Sequence, residues 1–192
     1  MGRKLYHIPA WHNRVDWGIH EPAIEQEDEL TSYARTLHDK FWKAAELFWD
    51  IVDKSFAIIP VSDWTRVRIF NDTIWKTNPE EEIFIRNMAK QGSRHMQIVV
   101  KLLEHGATLE ITEEKSLLLN KSVEEAWDTS LEARDVAIAK NINTRLKDGE
   151  TAFLLLGMSH KIWKHHLDPD IVVEPLLKEE DIERFEEKTQ NL

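Results

Sequence analysis

Side chains that can bind a metal ion or move a proton follow four short apolar segments of the chain. The four residues are His12, Asp72, Glu113 and His160. Imidazole and carboxylate groups are common ligands of divalent metals, and they also act as acids and bases near neutral pH. The pattern therefore predicts either a metal site or a pair of acid–base residues.

The elements that would position these residues alternate between strands and helices. Short apolar or β-branched runs predict strands over residues 4–9, 56–61, 66–70, 107–112, 151–156 and 170–174. Apolar residues at steps of three and four predict helices over 30–51, 79–103, 122–147 and 179–189. Gly92 and Ser93 are expected to kink or split the second of these helices.

This alternation predicts an α/β fold: a single domain over residues 1–192 with a mostly parallel sheet flanked by helices. In open α/β sheets, ligands bind beyond the carboxyl ends of the strands. Because all four candidate residues follow predicted strands, we expect them to share one edge of the sheet.

Composition excludes several classes of protein. The chain has 192 residues, no cysteine and a formal net charge of −10. Without cysteine there is no disulfide scaffold, thiolate zinc site or cysteine nucleophile. The negative charge argues against a nucleic-acid partner, and the apolar runs are too short to span a membrane. With no secretion signal in the sequence, we expect a cytoplasmic protein that binds a small molecule or a peptide.

Two adjacent charges interrupt the apolar stripe of the long helix in the second half of the chain. Arg134 and Asp135 both fall on the face that carries Ile138 and Ile142. An unpaired charge on a buried face is very costly, so the two residues either belong to a structural ion pair or lie at a pocket. In the second case Arg134 would bind an anionic or oxyanionic group.

Aromatic residues stand beside the first candidate histidine. Trp11 and Trp17 bracket His12, and both side chains can line an apolar pocket. Together with Asp16 and Asp72, they are the predicted substrate-binding residues.

Two further tryptophans lie on the first long helix. Trp42 and Trp49 are seven residues apart and belong to a second apolar row beside the main stripe. The row predicts either a helix that is buried on two sides or an interface of a homodimer, since aromatic residues are enriched at interfaces.

Most of the chain resembles, in the same order, the Tiki/TraB superfamily, which includes erythromycin esterase and the haem-binding lipoprotein ChaN. The resemblance lies in an Arg-bearing helix at Arg134, a buried strand, and a Gly-x-x-His motif at Gly157 and His160. The family's first Gly-x-x-His corresponds to residues 9–12, where His12 is retained and Pro9 replaces the glycine. The family's glutamate after a middle strand corresponds to Glu113.

The resemblance implies an erythromycin esterase/ChaN-like fold in which His12, Glu113, Arg134 and His160 converge on one cleft. Two classes of function follow from it. In the first, the chain is a hydrolase of peptidase or esterase type, either with Zn or Mn held by His12, Glu113 and His160 or with histidine as general base. In the second, it is a non-catalytic ligand-binding, haem-binding or regulatory module.

Overall fold

A computed structural model describes residues 2–10, 29–56, 61, 63–71, 74, 79–114, 127–157, 160, 162 and 166–189, with the backbone alone for 29–39, 41–42 and 127–130. The strands are β1 (Arg3–Ala10), β2 (Val67–Asn71), β3 (Thr108–Glu110), β4 (Thr151–Gly157) and β5 (Ile171–Pro175). The helices are α1 (Glu29–Phe56), α2 (Pro79–Lys90), α3 (Arg94–Glu104), α4 (Trp127–Arg145) and α5 (Glu179–Thr189), with a short 3-10 helix at Trp64–Arg66.

The five strands form one sheet in the order β3-β2-β4-β1-β5, and every neighbouring pair is parallel. The predicted α/β fold with a parallel sheet and flanking helices is therefore confirmed. Strand β4 lies at the centre, and its residues 152–156 are all buried, as expected of an apolar strand that is covered on both faces.

The chain divides into two compact units, while the expectation of one domain over 1–192 stays a prediction. One unit comprises Met1–Ala10, Val61–Phe84 and Lys101–Leu176, and it contains the whole sheet together with α4. The other comprises Trp11–Pro60, Ile85–Val100 and Leu177–Leu192, and it contains α1 and α5. None of the helices that the structure describes is long and apolar enough to cross a membrane.

In the sheet unit, α4 packs its apolar stripe against one face of the sheet. Ile138, Ile142 and Leu146 are fully buried in a cluster with strand residues such as Leu5 and Leu154. Burying each of these side chains contributes about 1.5–3 kcal/mol. The packing sets the height of α4 above the strands, and with it the position of the charged residues Arg134 and Asp135.

In the helical unit, Trp49 is completely buried and stacks on the imidazole of His95, with ring centroids 5.2 Å apart. Because Trp49 is buried within its own chain, its side chain is not available to a second copy. The observation fits the expectation of a helix that is buried on two sides. The side chain of Trp42 lies outside the described residues, and a homodimer through this helix stays a prediction.

The predicted strand over 56–61 is wrong at both residues that the structure describes, because Phe56 is the last residue of α1 and Val61 lies in no strand. Phe48, Val52 and Phe56 are all buried at helical spacing, so the apolar stripe of α1 continues past the predicted end. Residues 57–60 lie outside the described residues. The expected break at Gly92 is confirmed: α2 ends at Lys90, Gly92 has a φ of 103°, and α3 begins at Arg94.

Candidate active site

A buried histidine–carboxylate pair lies just beyond the carboxyl end of β4. The backbone N–H of His160 donates to the carbonyl of Gly157 (3.1 Å), which ties the backbone of His160 to the end of the strand. His160 Nδ1 lies 2.5 Å from Asp135 Oδ1 on α4. The two residues are 3% and 5% exposed. The end of β4 and helix α4 thus hold His160 from two sides.

The carboxylate of Asp135 determines which imidazole nitrogen carries the proton. An ionised carboxylate can only accept a hydrogen bond, so Nδ1 of His160 is the donor. In a neutral imidazole the other nitrogen, Nε2, is then the basic one. In histidine–carboxylate pairs that act as bases, the carboxylate also stabilises the imidazolium that forms when the second nitrogen takes up a proton.

A second charged pair links the segment after β3 to α4. Arg134 Nε donates to Glu113 Oε2 (2.9 Å), and Nη2 donates to Oε1 (2.5 Å). This is a bidentate arginine–carboxylate pair, which fixes both the position and the plane of the guanidinium. The Glu113 side chain is 1% exposed, whereas that of Arg134 is 23% exposed.

The backbone around Glu113 is tied in place by neighbouring segments. The carbonyl of Ile74 accepts from the backbone N–H groups of both Thr112 (2.9 Å) and Glu113 (3.0 Å). The backbone N–H of Asn71, at the end of β2, donates to Thr112 Oγ1 (2.7 Å). From α4, Asn141 Nδ2 donates to the carbonyl of Thr112 (3.0 Å). Glu113 therefore reaches Arg134 from a fixed backbone.

His7, on β1, is a further histidine near this site. Burial lowers its pKa to about 4, although a hydrogen bond with the backbone of Leu156 partly opposes that effect. The electrostatic effect of the nearby His160 contributes to the same lowering of the pKa of His7. His7 is therefore neutral at neutral pH. Sequence reasoning missed it, and the only available signal was its place two residues after buried Leu5 on the same face of the strand.

Arg134 and Asp135 have separate partners in the structure. The sequence predicted that these charges either belong to a structural ion pair or lie at a pocket, and Arg134 binds Glu113 while Asp135 binds His160. Asp135 is the site residue that sequence reasoning did not select. Its signal was present, since a carboxylate on an apolar stripe requires a partner.

The remaining predicted residues follow β1 and β2. Those outside the described residues are His12, Trp11, Asp16, Trp17 and Asp72.

The sheet topology places the end of β1 beside the end of β4. Ala10, the last residue of β1, is the register partner of Gly157, the last residue of β4. The chain leaving β1 re-enters the sheet at β2, on the far side of β4, whereas the chain leaving β4 re-enters at β5, on the far side of β1. The boundary between β1 and β4 is thus a topological switch point, where α/β sheets bind their ligands.

The metal site predicted at His12, Glu113 and His160 stays a prediction, because His12 lies outside the described residues. No group of three or more His, Asp or Glu side chains in the described part of the chain is placed to hold a metal ion. Both carboxylate oxygens of Glu113 accept hydrogen bonds from Arg134.

Comparisons with family models, with curated proteins and with solved structures found no match for this chain. The resemblance to the Tiki/TraB superfamily therefore stays a prediction.

Proposed function

We propose that the chain is a hydrolase of esterase or peptidase type in which His160 is the general base. The observation that supports this best is the buried 2.5 Å contact between His160 Nδ1 and Asp135. In the proposed reaction, Nε2 takes a proton from water while the water oxygen bonds to the acyl carbon. The bond from that carbon to the leaving group then breaks, and the imidazolium returns the proton to the leaving atom.

Arg134 has a supporting role in this proposal. Glu113 binds Nε and Nη2, which fixes the plane of the guanidinium. Nη1 of the same group can then donate a hydrogen bond to the oxyanion that develops on the acyl oxygen. A fixed donor of this kind is effective because it needs no reorganisation during the reaction.

The experiment compares the hydrolysis of 4-nitrophenyl butyrate by the wild-type protein and by the His160→Gln variant. We expect kcat/KM to fall by about 10²–10⁴-fold, the usual contribution of a general base. His166→Gln is the matched control, since His166 also contacts a carboxylate, Glu132, whose side chain is 66% exposed. A His160→Gln variant that folds and retains the wild-type rate would rule the proposal out.

Metal and haem content decide between this proposal and the other functions expected from the sequence. A histidine oriented by a carboxylate is also the usual arrangement of a metal ligand, so elemental analysis of the purified protein is informative. Stoichiometric Zn or Mn, removed by a chelator together with the activity, would favour the metal-dependent form. A Soret band without ester hydrolysis would favour a haem-binding module.

A further inference from the structure

The charges of the described site residues bear on the kind of substrate that the site accepts. Among Glu113, Arg134, Asp135 and His160, the cation is Arg134. Its guanidinium is already bound to the carboxylate of Glu113 through two hydrogen bonds. A carboxylate at this distance offsets most of the attraction that the guanidinium would exert on a second anion.

A second carboxylate lies beside the proposed base. Asp135 follows Arg134 directly on α4, and its Oδ1 contacts His160. His7 contributes no charge at neutral pH, because burial lowers its pKa to about 4. The formal charges of Glu113, Arg134, Asp135 and His160 therefore sum to −1 while His160 is neutral. The same sum is zero after His160 has accepted a proton.

We infer that the substrate is an uncharged acyl compound, an ester or amide without a carboxylate or phosphate close to the scissile bond. This inference rests on the proposed hydrolase function. An anionic group next to the reacting carbonyl would approach Asp135 in a buried environment, where like charges repel more strongly than in water. An uncharged group meets no such repulsion, and proton uptake by His160 then brings the summed charge of the four residues to zero.

The test uses two esters of similar size that differ in charge, 4-nitrophenyl butyrate and mono(4-nitrophenyl) succinate. We expect kcat/KM at neutral pH to be at least about tenfold higher for the butyrate, a ratio that corresponds to about 1.4 kcal/mol. A wild-type protein that hydrolyses both esters equally, or prefers the succinate, would overturn the inference.

The Glu113→Gln variant tests the cause of this preference. Loss of the carboxylate leaves the charge of Arg134 uncompensated, so we expect the butyrate-to-succinate ratio to fall toward one or below it. Glu110→Gln is the matched control: Glu110 also pairs with an arginine of α4, Arg145. An unchanged ratio in a folded Glu113→Gln variant would show that the pair does not set the charge preference.

Binding measurements separate failure of this inference from failure of the proposed function. Saturation-transfer NMR with ethyl butyrate and with monoethyl succinate reports binding without turnover. Binding of ethyl butyrate alone, without hydrolysis of either nitrophenyl ester, would contradict the hydrolase proposal and support the charge preference. Preferential binding of monoethyl succinate, or binding of neither compound, would contradict the charge preference.

Discussion

At the scale of single residues, two neighbours on one helix have separate partners. Arg134 binds Glu113, and Asp135 binds His160, because successive side chains on a helix project about 100° apart. The sequence could show that both charges interrupt an apolar stripe. It could not show their partners, which lie 21 and 25 residues away and are brought close only by the sheet.

His7 makes the stability of the protein depend on pH. Its folded-state pKa of about 4 lies below the value of about 6.5 that histidine has in an unfolded chain. Between these two values the unfolded chain binds a proton that the folded protein does not. The stabilisation is therefore complete above about pH 6.5 and is lost as the pH falls toward 4, by up to about 3 kcal/mol.

Urea unfolding of the wild type and of the His7→Gln variant at several pH values checks this prediction. Glutamine is polar and does not titrate, so we expect the variant to lose less unfolding free energy than the wild type between about pH 6.5 and pH 4. Parallel curves for the two proteins would show that His7 is not the group responsible.

At the scale of elements, α4 contacts β3 and the residues that follow it at three points. Arg145 donates to Glu110 (3.2 Å), Asn141 donates to the carbonyl of Thr112, and Arg134 binds Glu113. The helix residues are spaced by four and seven, so they share one face. Sequence periodicity predicted the apolar stripe of α4, but this polar row depends on contacts between separate elements, which periodicity does not report.

We expect Asn141 to position the segment that carries Glu113, and Asn143 offers a control on the same helix. The amide of Asn143 donates to the carbonyl of His166 and accepts from the backbone N–H of Asp168, away from Glu113. We expect Asn141→Ala and Asn143→Ala each to lower the unfolding free energy by about 1–2 kcal/mol, the effect of lost hydrogen bonds to partly buried groups. Denaturant titration measures this loss.

Only Asn141→Ala should also lower kcat/KM for 4-nitrophenyl butyrate, because it releases the segment that carries Glu113. We expect several-fold lower activity for this variant and wild-type activity for Asn143→Ala. Equal kcat/KM values in the two variants would mean that Asn141 has a structural role alone.

At the scale of the whole molecule, the order of the strands in the sheet determines which strand ends lie side by side. Alternating strand and helix patterns were sufficient to predict a parallel α/β sheet, and the buried β4 was the clearest of the predicted strands. The order β3-β2-β4-β1-β5 was not predictable in the same way, because it depends on pairings between distant segments such as Ala10 and Gly157. The position of His160 just after a buried strand was predicted from the sequence, whereas its partner Asp135 required the packing of α4 on the sheet.

The most direct test of the account is the protonation state of the two ring nitrogens of His160. Nitrogen NMR of protein labelled at its histidines, at about pH 8 where most imidazoles are neutral, distinguishes the tautomers, and His160→Gln assigns the signal. We expect the proton on Nδ1 and a basic Nε2 in the wild type, with this preference lost in Asp135→Asn. A proton on Nε2 of the wild-type protein would contradict the claim that Asp135 prepares His160 to act as a base.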